Sequence, residues 1–349
     1  MTGPALLWVT SGGVLVACLG LVLLIVATKL MRTSRGRTAE ALVAPFRADL
    51  LAVSVGEDPD GAHLARLSAA GGPSRLAVDE AMVRFLGKVR GTPAEQLQEV
   101  LQKHGATKRA LRQLHNRSPV HRALAAQLLG LCHEQAAVPR LVECLADPAR
   151  EVRASAVDAL GRIGNPTAAP SVLAAVGAGR AVPAGAAADA LEDMGVGISE
   201  ALRTALADGD PTTRAVAAYL SGAGSFTRSI PGLRRLTAED PDVTVRITAA
   251  RALGRIGRSE DVEVLMRQTS ADRPRELRRA GAAALGDLGE PSATRGLRAL
   301  VHDDDPRLAE LAASALLRLG EEGRAALTTA SGAPVESALA LERLRSQVA

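Results

Sequence analysis

Aromatic residues are almost missing from this chain. Its 349 residues include one Trp, one Tyr and three Phe, at Trp8, Tyr219, Phe46, Phe85 and Phe226. A core of stacked rings and a base-stacking surface are both excluded by that scarcity. Cysteine is scarce too. Cys18, Cys132 and Cys144 are too few and too scattered to make a disulfide framework. Charge is missing altogether from residues 1–28. An excess of basic charge is missing from the body: the net +4 is accounted for by Lys29, Arg32, Arg35 and Arg37, and residues 38–349 carry equal numbers of acidic and basic side chains. A nucleic-acid binder carries its excess of Lys and Arg on the folded domain, so this balance argues against such a partner.

What is abundant is Leu, Val and Ala, a composition that favours helix and close helix packing. Residues 1–5 precede an apolar, charge-free run at 6–28, about 34 Å long as a helix against a hydrocarbon core of about 30 Å. Trp8 stands at one end and the basic stretch 29–37 at the other. Because the positive charge follows the apolar run, the order is wrong for a cleaved signal peptide and right for an anchor. The predicted topology is a single-pass cell-membrane protein of bacterial type, with the N-terminus outside and everything after residue 37 cytoplasmic.

The second strong signal is repetition. Aligned on a shared leucine, the segments around Leu129, Leu160, Leu191, Leu220, Leu253, Leu285 and Leu316 recur every 29 to 33 residues. Most units open on a Pro-containing turn: Asp147-Pro148, Asp210-Pro211, Asp240-Pro241, Arg273-Pro274 and Asp305-Pro306. Asp caps a helix start, and Pro is tolerated in its first turn. A glycine four residues after the leucine (Gly164, Gly195, Gly224, Gly257, Gly289, Gly320) predicts a left-handed helix stop. A shorter second helix follows. One such hairpin cannot bury its apolar face, so neighbours stack. The predicted fold is all-α: an α-solenoid of helical hairpins over 117–330, preceded by irregular helical leading repeats at 38–116 and the transmembrane helix, and closed by a capping helix at 331–349.

The wording DPxxxVRxxAxxALGRIG from Asp147 to Gly164, echoed from Asp240 to Gly257, resembles the HEAT repeat family in its short bacterial, PBS-lyase-type form. That resemblance implies a fold and leaves activity open. Two enzymes of the family set the chemistry to look for. Deoxyhypusine hydroxylase holds iron with repeated His-Glu pairs; here only His133-Glu134 occurs, and one pair supplies too few ligands. Cys132, His133 and Cys144 are the other conceivable ligands, but Cys132 aligns with the core positions Ile163 and Ile256, so no metal and no cofactor is expected. Phycobilin lyases make an enzyme or enzyme accessory of the chromophore-lyase type the alternative function, set against the few aromatics.

Two sets of arginines recur. Arg122, Arg153, Arg246 and Arg278 lie seven residues before the leucine, and recurrence at an equivalent position predicts a ladder between stacked units. Arg140, Arg203, Arg234, Arg235, Arg267, Arg295 and Arg298 lie in the second helices, which in HEAT arrays line the concave face. They form the candidate partner-binding stripe, interleaved with Glu143, Glu200, Glu260 and Glu263. The expected function is a non-catalytic, membrane-anchored scaffold or adaptor. Its expected partner is a protein (a membrane enzyme or another cytoplasmic subunit), with no small-molecule substrate.

Overall fold

The structure, a computed structural model, describes residues 40–177 and 182–348. The predicted transmembrane run 6–28 and the basic stretch 29–37 lie outside the described residues. Among the described residues no helix is long and apolar enough to cross a membrane, and there is no β-strand. The chain divides into two compact units between Arg109 and Ala110.

In the first unit, helices α1 (Arg47–Val55), α2 (Ala62–Ser68), α3 (Gly72–Leu86) and α4 (Thr92–Lys103) bury Leu50, Val53, Leu67, Val78, Met82 and Leu97. Two aspartates are buried with them, and each has the same pair of partners. Asp49 accepts from Arg66 Nε at 2.9 Å and lies 2.6 Å from His63 Nδ1. Asp79 lies 2.5 Å from His104 Nδ1 and also accepts from Arg109. A carboxylate cut off from water must be paired in this way. Burial alone would raise the pKa of Asp49, but the bonds from Arg66 and His63 outweigh it and hold the carboxyl below its ordinary range.

The helix α5 (Ala106–Gln113) leads to the repeats. Their first helices are α6 (Pro119–Leu131), α8 (Arg150–Ile163), α10 (Ala184–Asp193), α12 (Pro211–Ala223), α14 (Val243–Ile256), α16 (Arg275–Leu288) and α18 (Pro306–Arg318). Their second helices are α7 (Val138–Cys144), α9 (Ala169–Gly177), α11 (Ser199–Ala205), α13 (Ile230–Glu239), α15 (Val262–Gln268), α17 (Thr294–Leu300) and α19 (Gly320–Thr328), and α20 (Ala333–Val348) follows. Successive first helices pack on one another, and one continuous core of Leu, Val and Ala runs through the stack. Leu129, Leu160, Leu191, Leu253, Leu285 and Leu316 have no exposed surface.

One repeat needs its register corrected. The leucine-centred alignment places Leu220 at the anchor position, but three features place Ser221 there. The residue four past the anchor is left-handed at His133, Gly164, Gly195, Gly289 and Gly320, and in this repeat that residue is Ser225, with φ of 56°. Gly224 has φ of −89° and is not the left-handed stop. Gly222 then falls one past the anchor, in step with Gly130, Gly161, Gly254 and Gly286. Arg214 falls seven before it. Ser221 is fully buried and satisfies its hydroxyl on Ala217 O at 2.7 Å and Ser229 Oγ at 2.9 Å. A buried leucine beside it (1% exposed) misled the alignment. Gly257 departs as well, with φ of −69° and extended backbone.

The glycines one past the anchor explain how closely the helices approach. A Cβ added to Gly130 would lie 2.6 Å from Ala159 Cα, one on Gly161 2.7 Å from Ala190 Cα, and one on Gly222 2.8 Å from Ala252 Cα. The same holds for Gly254 against Ala284 and Gly286 against Ala315. Backbone meets backbone at each of these crossings, so no larger residue fits without moving a helix.

Candidate functional site

The stack divides its arginines by what they touch. The first set belongs to the fold. Arg122 grips Asp147 of the next repeat with Nε at 2.7 Å and Nη2 at 2.8 Å, while its Nη1 donates to Asn116 O and Arg117 O. Arg214 repeats the arrangement with Asp240, at 2.7 and 2.9 Å, and with Asp208 O and Gly209 O. Arg278 reaches Asp303 and Thr269 O. Arg279 forks onto Asp305 with both bonds at 2.8 Å.

Asp147, Asp240 and Asp305 thus have two roles, each closing its own turn and receiving an arginine of the repeat before, whereas Asp210 only caps its own helix. Arg153 and Arg246 clamp only the carbonyls of their own turns, Asp147 O and Asp240 O, and the Nε of each is buried without a partner. For Arg246 the reason is legible, since the following turn is Arg273-Pro274 and offers no carboxylate at that place. The predicted ladder between units is therefore present where the next turn supplies an aspartate. Arg214 belongs to it and was hidden by the one-residue shift at Ser221.

These pairs shift acidity in the expected sense. Arg279, through its fork, holds Asp305 down to about 2. Burial opposes but does not cancel the effect of Arg122 on Asp147, whose carboxyl also sits below its ordinary range. Burial pushes the Cys144 thiol up. Cys132 is buried at the end of α6, and His133 is the left-handed residue after it, exposed and serving a backbone turn. Among the described residues no group of three His, Cys, Asp or Glu side chains is placed to hold a metal ion.

The seven second-helix arginines fall into two groups. Arg140 is held by Glu143 at 2.9 Å and Arg203 by Glu200, each within its own helix. Arg234 crosses to the next repeat, with Nε 2.6 Å from Asp261 and Nη2 2.6 Å from Glu260. Those carboxylates, Asp261 foremost, push its guanidinium well above the usual arginine range. Arg235 crosses the other way, donating to Leu206 O at 3.0 Å. Arg267, Arg295 and Arg298 are exposed and have no ion-pair or hydrogen-bond partner among the described residues. Among the second-helix arginines, those without a partner thus fall on α15, beside the exposed Glu263, and on α17.

Two hollows deserve comparison. In the first unit, a hollow of about 640 Å³ between α1 and α3 is rimmed by Glu40, Glu80, Arg47 and Arg84, so its charges cancel. Between α17 and α19, a trough of about 610 Å³ is lined by Arg295, Arg298 and His302 on one side and by Glu322 on the other. Tyr219 is exposed on a first helix and Phe226 packs near Gly224, so these two aromatics do not line the trough.

Residues 107–192 and 199–286 match the family model for HEAT repeats. The stack is a HEAT-repeat solenoid. No curated protein matches the chain in sequence. Among solved structures, the karyopherin Kap121p aligns at 12% identity and a TM-score of 0.54 over 76% of this chain and 34% of its own. This chain therefore spans about a third of the length of that relative. The CpcE–CpcF complex of phycocyanin lyase from Nostoc sp. PCC7120 aligns at 22% identity and a TM-score of 0.35, over 66% of this chain and 94% of its own. Human deoxyhypusine hydroxylase aligns at 20% identity and 0.32, over 71% and 99%. At these identities the HEAT likeness concerns fold. The exposed arginines of α15 and α17 are what set this HEAT solenoid's second-helix face apart from its own earlier repeats.

Proposed function

We propose that the protein is a non-catalytic HEAT-repeat adaptor, tethered to the cytoplasmic face of the membrane by residues 6–28, and that it holds a partner protein through an acidic segment. The single observation that carries this reading is the contrast within one helix row. Arg140 and Arg203 are paired on the surface with glutamates of their own helices and Arg234 and Arg235 bond to neighbouring repeats, whereas Arg267, Arg295 and Arg298 are exposed and unpartnered. Guanidinium groups left without partners recognise carboxylates bidentately, which makes an acidic protein segment the fitting ligand. The fold likeness to Kap121p, solved bound to Pho4p and to Ulp1p, is consistent with a protein-binding use of such a stack. The basic run at Lys29, Arg32, Arg35 and Arg37 supports the cytoplasmic orientation.

The reading is tested with full-length protein purified from membranes in detergent. The partner it retains is quantified for the wild type, for Arg267→Glu with Arg298→Glu, and for Arg140→Glu with Arg203→Glu. The first pair is expected to release the partner and the second, equal in charge change, to keep it. Retention should also weaken with salt, since exposed charge is screened over about 8 Å at physiological ionic strength. Equal retention by both pairs would remove the arginine face from the argument. Orientation is checked separately with a reporter fused after Ala349: activity of an export-dependent reporter there would overturn the cytoplasmic placement.

A further inference from the structure

The outward side of the first helices carries a charge pattern of its own. Two residues before the anchor stand Asp158 on α8, Asp189 on α10, Tyr219 on α12 and Arg251 on α14, all exposed. Four residues further along the same helices stand Arg162, Asp193, Ala223 and Arg255, exposed as well. On α8 the two places form an ion pair, with Arg162 Nε 2.8 Å from Asp158. Beyond α14, Arg318 of α18 reaches Asp287 of α16 at 2.8 Å. Between these settled repeats the pattern changes. The helix α10 carries two aspartates at this spacing and α14 carries two arginines, and like charges one turn apart repel. Asp189, Arg251 and Arg255 have no ion-pair or hydrogen-bond partner among the described residues. The helix between them, α12, is neutral at both places.

A second observation is one of shape. The same three helices enclose a hollow of about 450 Å³, to which each gives four residues. Asp189 forms one wall, and Arg251 and Arg255 form the other. Ala188 and Ala215 keep the floor low between them. Tyr219 also lines the hollow, 46% exposed and the most exposed aromatic of the described residues. A ring in a place that other repeats give to Gln127 or Asp158 adds apolar surface where water is otherwise preferred.

An acidic helix, a neutral one and a basic one, side by side, make a surface that is complementary to itself. A two-fold axis running along α12 carries α10 of one copy onto α14 of the other. Each Asp189 then meets Arg251 and Arg255 of the second copy, and the two Tyr219 rings meet beside the axis. A two-fold axis across the helices would set acid on acid and base on base, so the charges select the first arrangement. An aromatic centre with charges at the rim is also the usual layout of a binding patch.

We propose that this face joins two copies of the chain in a two-fold dimer along α12. The proposal goes beyond the adaptor reading, because the face lies on the first helices and leaves the second-helix arginines open to a different partner. The patch is smaller than the roughly 20–30 residues a side of a stable interface, so the dimer is reversible.

The test is sedimentation equilibrium of the full-length chain in detergent, over a range of protein concentrations at low salt. The wild type is expected to show a monomer–dimer equilibrium. Asp189→Arg makes both walls basic, and Arg251→Asp with Arg255→Asp makes both acidic. Each should weaken self-association by about tenfold or more. An equimolar mixture of these two variants should dimerise again, and so should the triple variant, whose walls are exchanged. Tyr219→Ala should weaken the dimer by about tenfold or more. All four positions are exposed, so melting temperatures should hold. Arg267→Glu with Arg298→Glu, on the other helix row, should change nothing. A wild type that stays monomeric at every concentration would overturn the dimer. Single-wall variants that dimerise as the wild type does would overturn the face, since the association then runs through some other part of the chain. Loss in both single-wall variants without recovery in the mixture and the triple variant would overturn the pairing of Asp189 with the two arginines. None of these outcomes bears on partner retention, which decides the adaptor reading.

Discussion

The junction between α12 and α14 and the junction between α10 and α12 are built from the same repeat, yet they hold together differently. Across α12–α14, Gly222 lets the backbone of Ala252 approach, and Arg214 locks onto Asp240. Across α10–α12, the corresponding positions carry Glu192 and Leu220, and Ala184 stands where the locking arginine would be. The helix α10 is also short: it starts at Ala184, so its anchor Leu191 comes only seven residues into the helix. The second helix α9 makes up the gap by reaching α12 directly. Thr213 Oγ1 donates to Leu173 O at 3.4 Å, and a Cβ on Gly177 would lie 2.6 Å from Asp210 Cγ. Period alone therefore places helices in a row. Small residues and a paired arginine determine how firmly two neighbours are joined.

The largest expected effect tests the core common to both junctions. Leu253 is fully buried in α14, and Leu253→Ala should cost about 2–5 kcal/mol, read from denaturant unfolding of the full chain. Next comes the lock. Arg214 and Asp240 are nearly buried together, so Arg214→Ala leaves a carboxylate uncompensated and should cost about 3 kcal/mol. Arg246 occupies the same place one repeat later but meets no carboxylate ahead of it, so Arg246→Ala should cost only about 1 kcal/mol for its carbonyl bonds. Equal costs at Arg214 and Arg246 would break the comparison. Third, Gly254→Val forces a side chain against the Ala284 backbone and should cost about 1–3 kcal/mol, whereas Glu192→Val at the looser junction should stay within about 0.5 kcal/mol.

The smallest effect is in acid. Arg279 holds the pKa of Asp305 in the folded state down to about 2. A depressed carboxylate contributes stability above its ordinary value of about 3.9, and that contribution is lost as pH falls through the folded value. Acid unfolding should therefore steepen between about pH 4 and 2, and Arg279→Met should remove that component. No change on this substitution would show that the fork does not persist in solution.

The contrast also alters what a charge reversal on the second helices can report. Arg234, a natural choice for testing the stripe, lies against Asp261, which has no exposed surface. Arg234→Glu would bring a second carboxylate to a buried one and unfold before it reported on binding. Arg295 and Arg298 carry no such internal duty, so they are the positions where binding and folding separate.

The sequence by itself determined the class of structure, the repeat, and the helices that carry the candidate arginines, because a buried leucine, an Asp-Pro turn and a left-handed stop are local requirements that recur with each hairpin. Cys132 was also legible, since its alignment with Ile163 and Ile256 assigned it to the core, where it is buried. Other features were decided only by the tertiary structure. Ser221 holds the anchor position because the glycine and arginine around it must meet their neighbours, a demand set in the next repeat and invisible in its own. Of the four paired second-helix arginines, Arg140 and Arg203 meet a glutamate three residues away in their own helix, whereas the pairing of Arg234 and Arg235 depends on a carboxylate or carbonyl within about 3 Å across a helix pair. Sequence spacing gives the helix and the face, while ion pairing between repeats depends on the stacking that brings residues some 26 positions apart, such as Arg214 and Asp240, into contact.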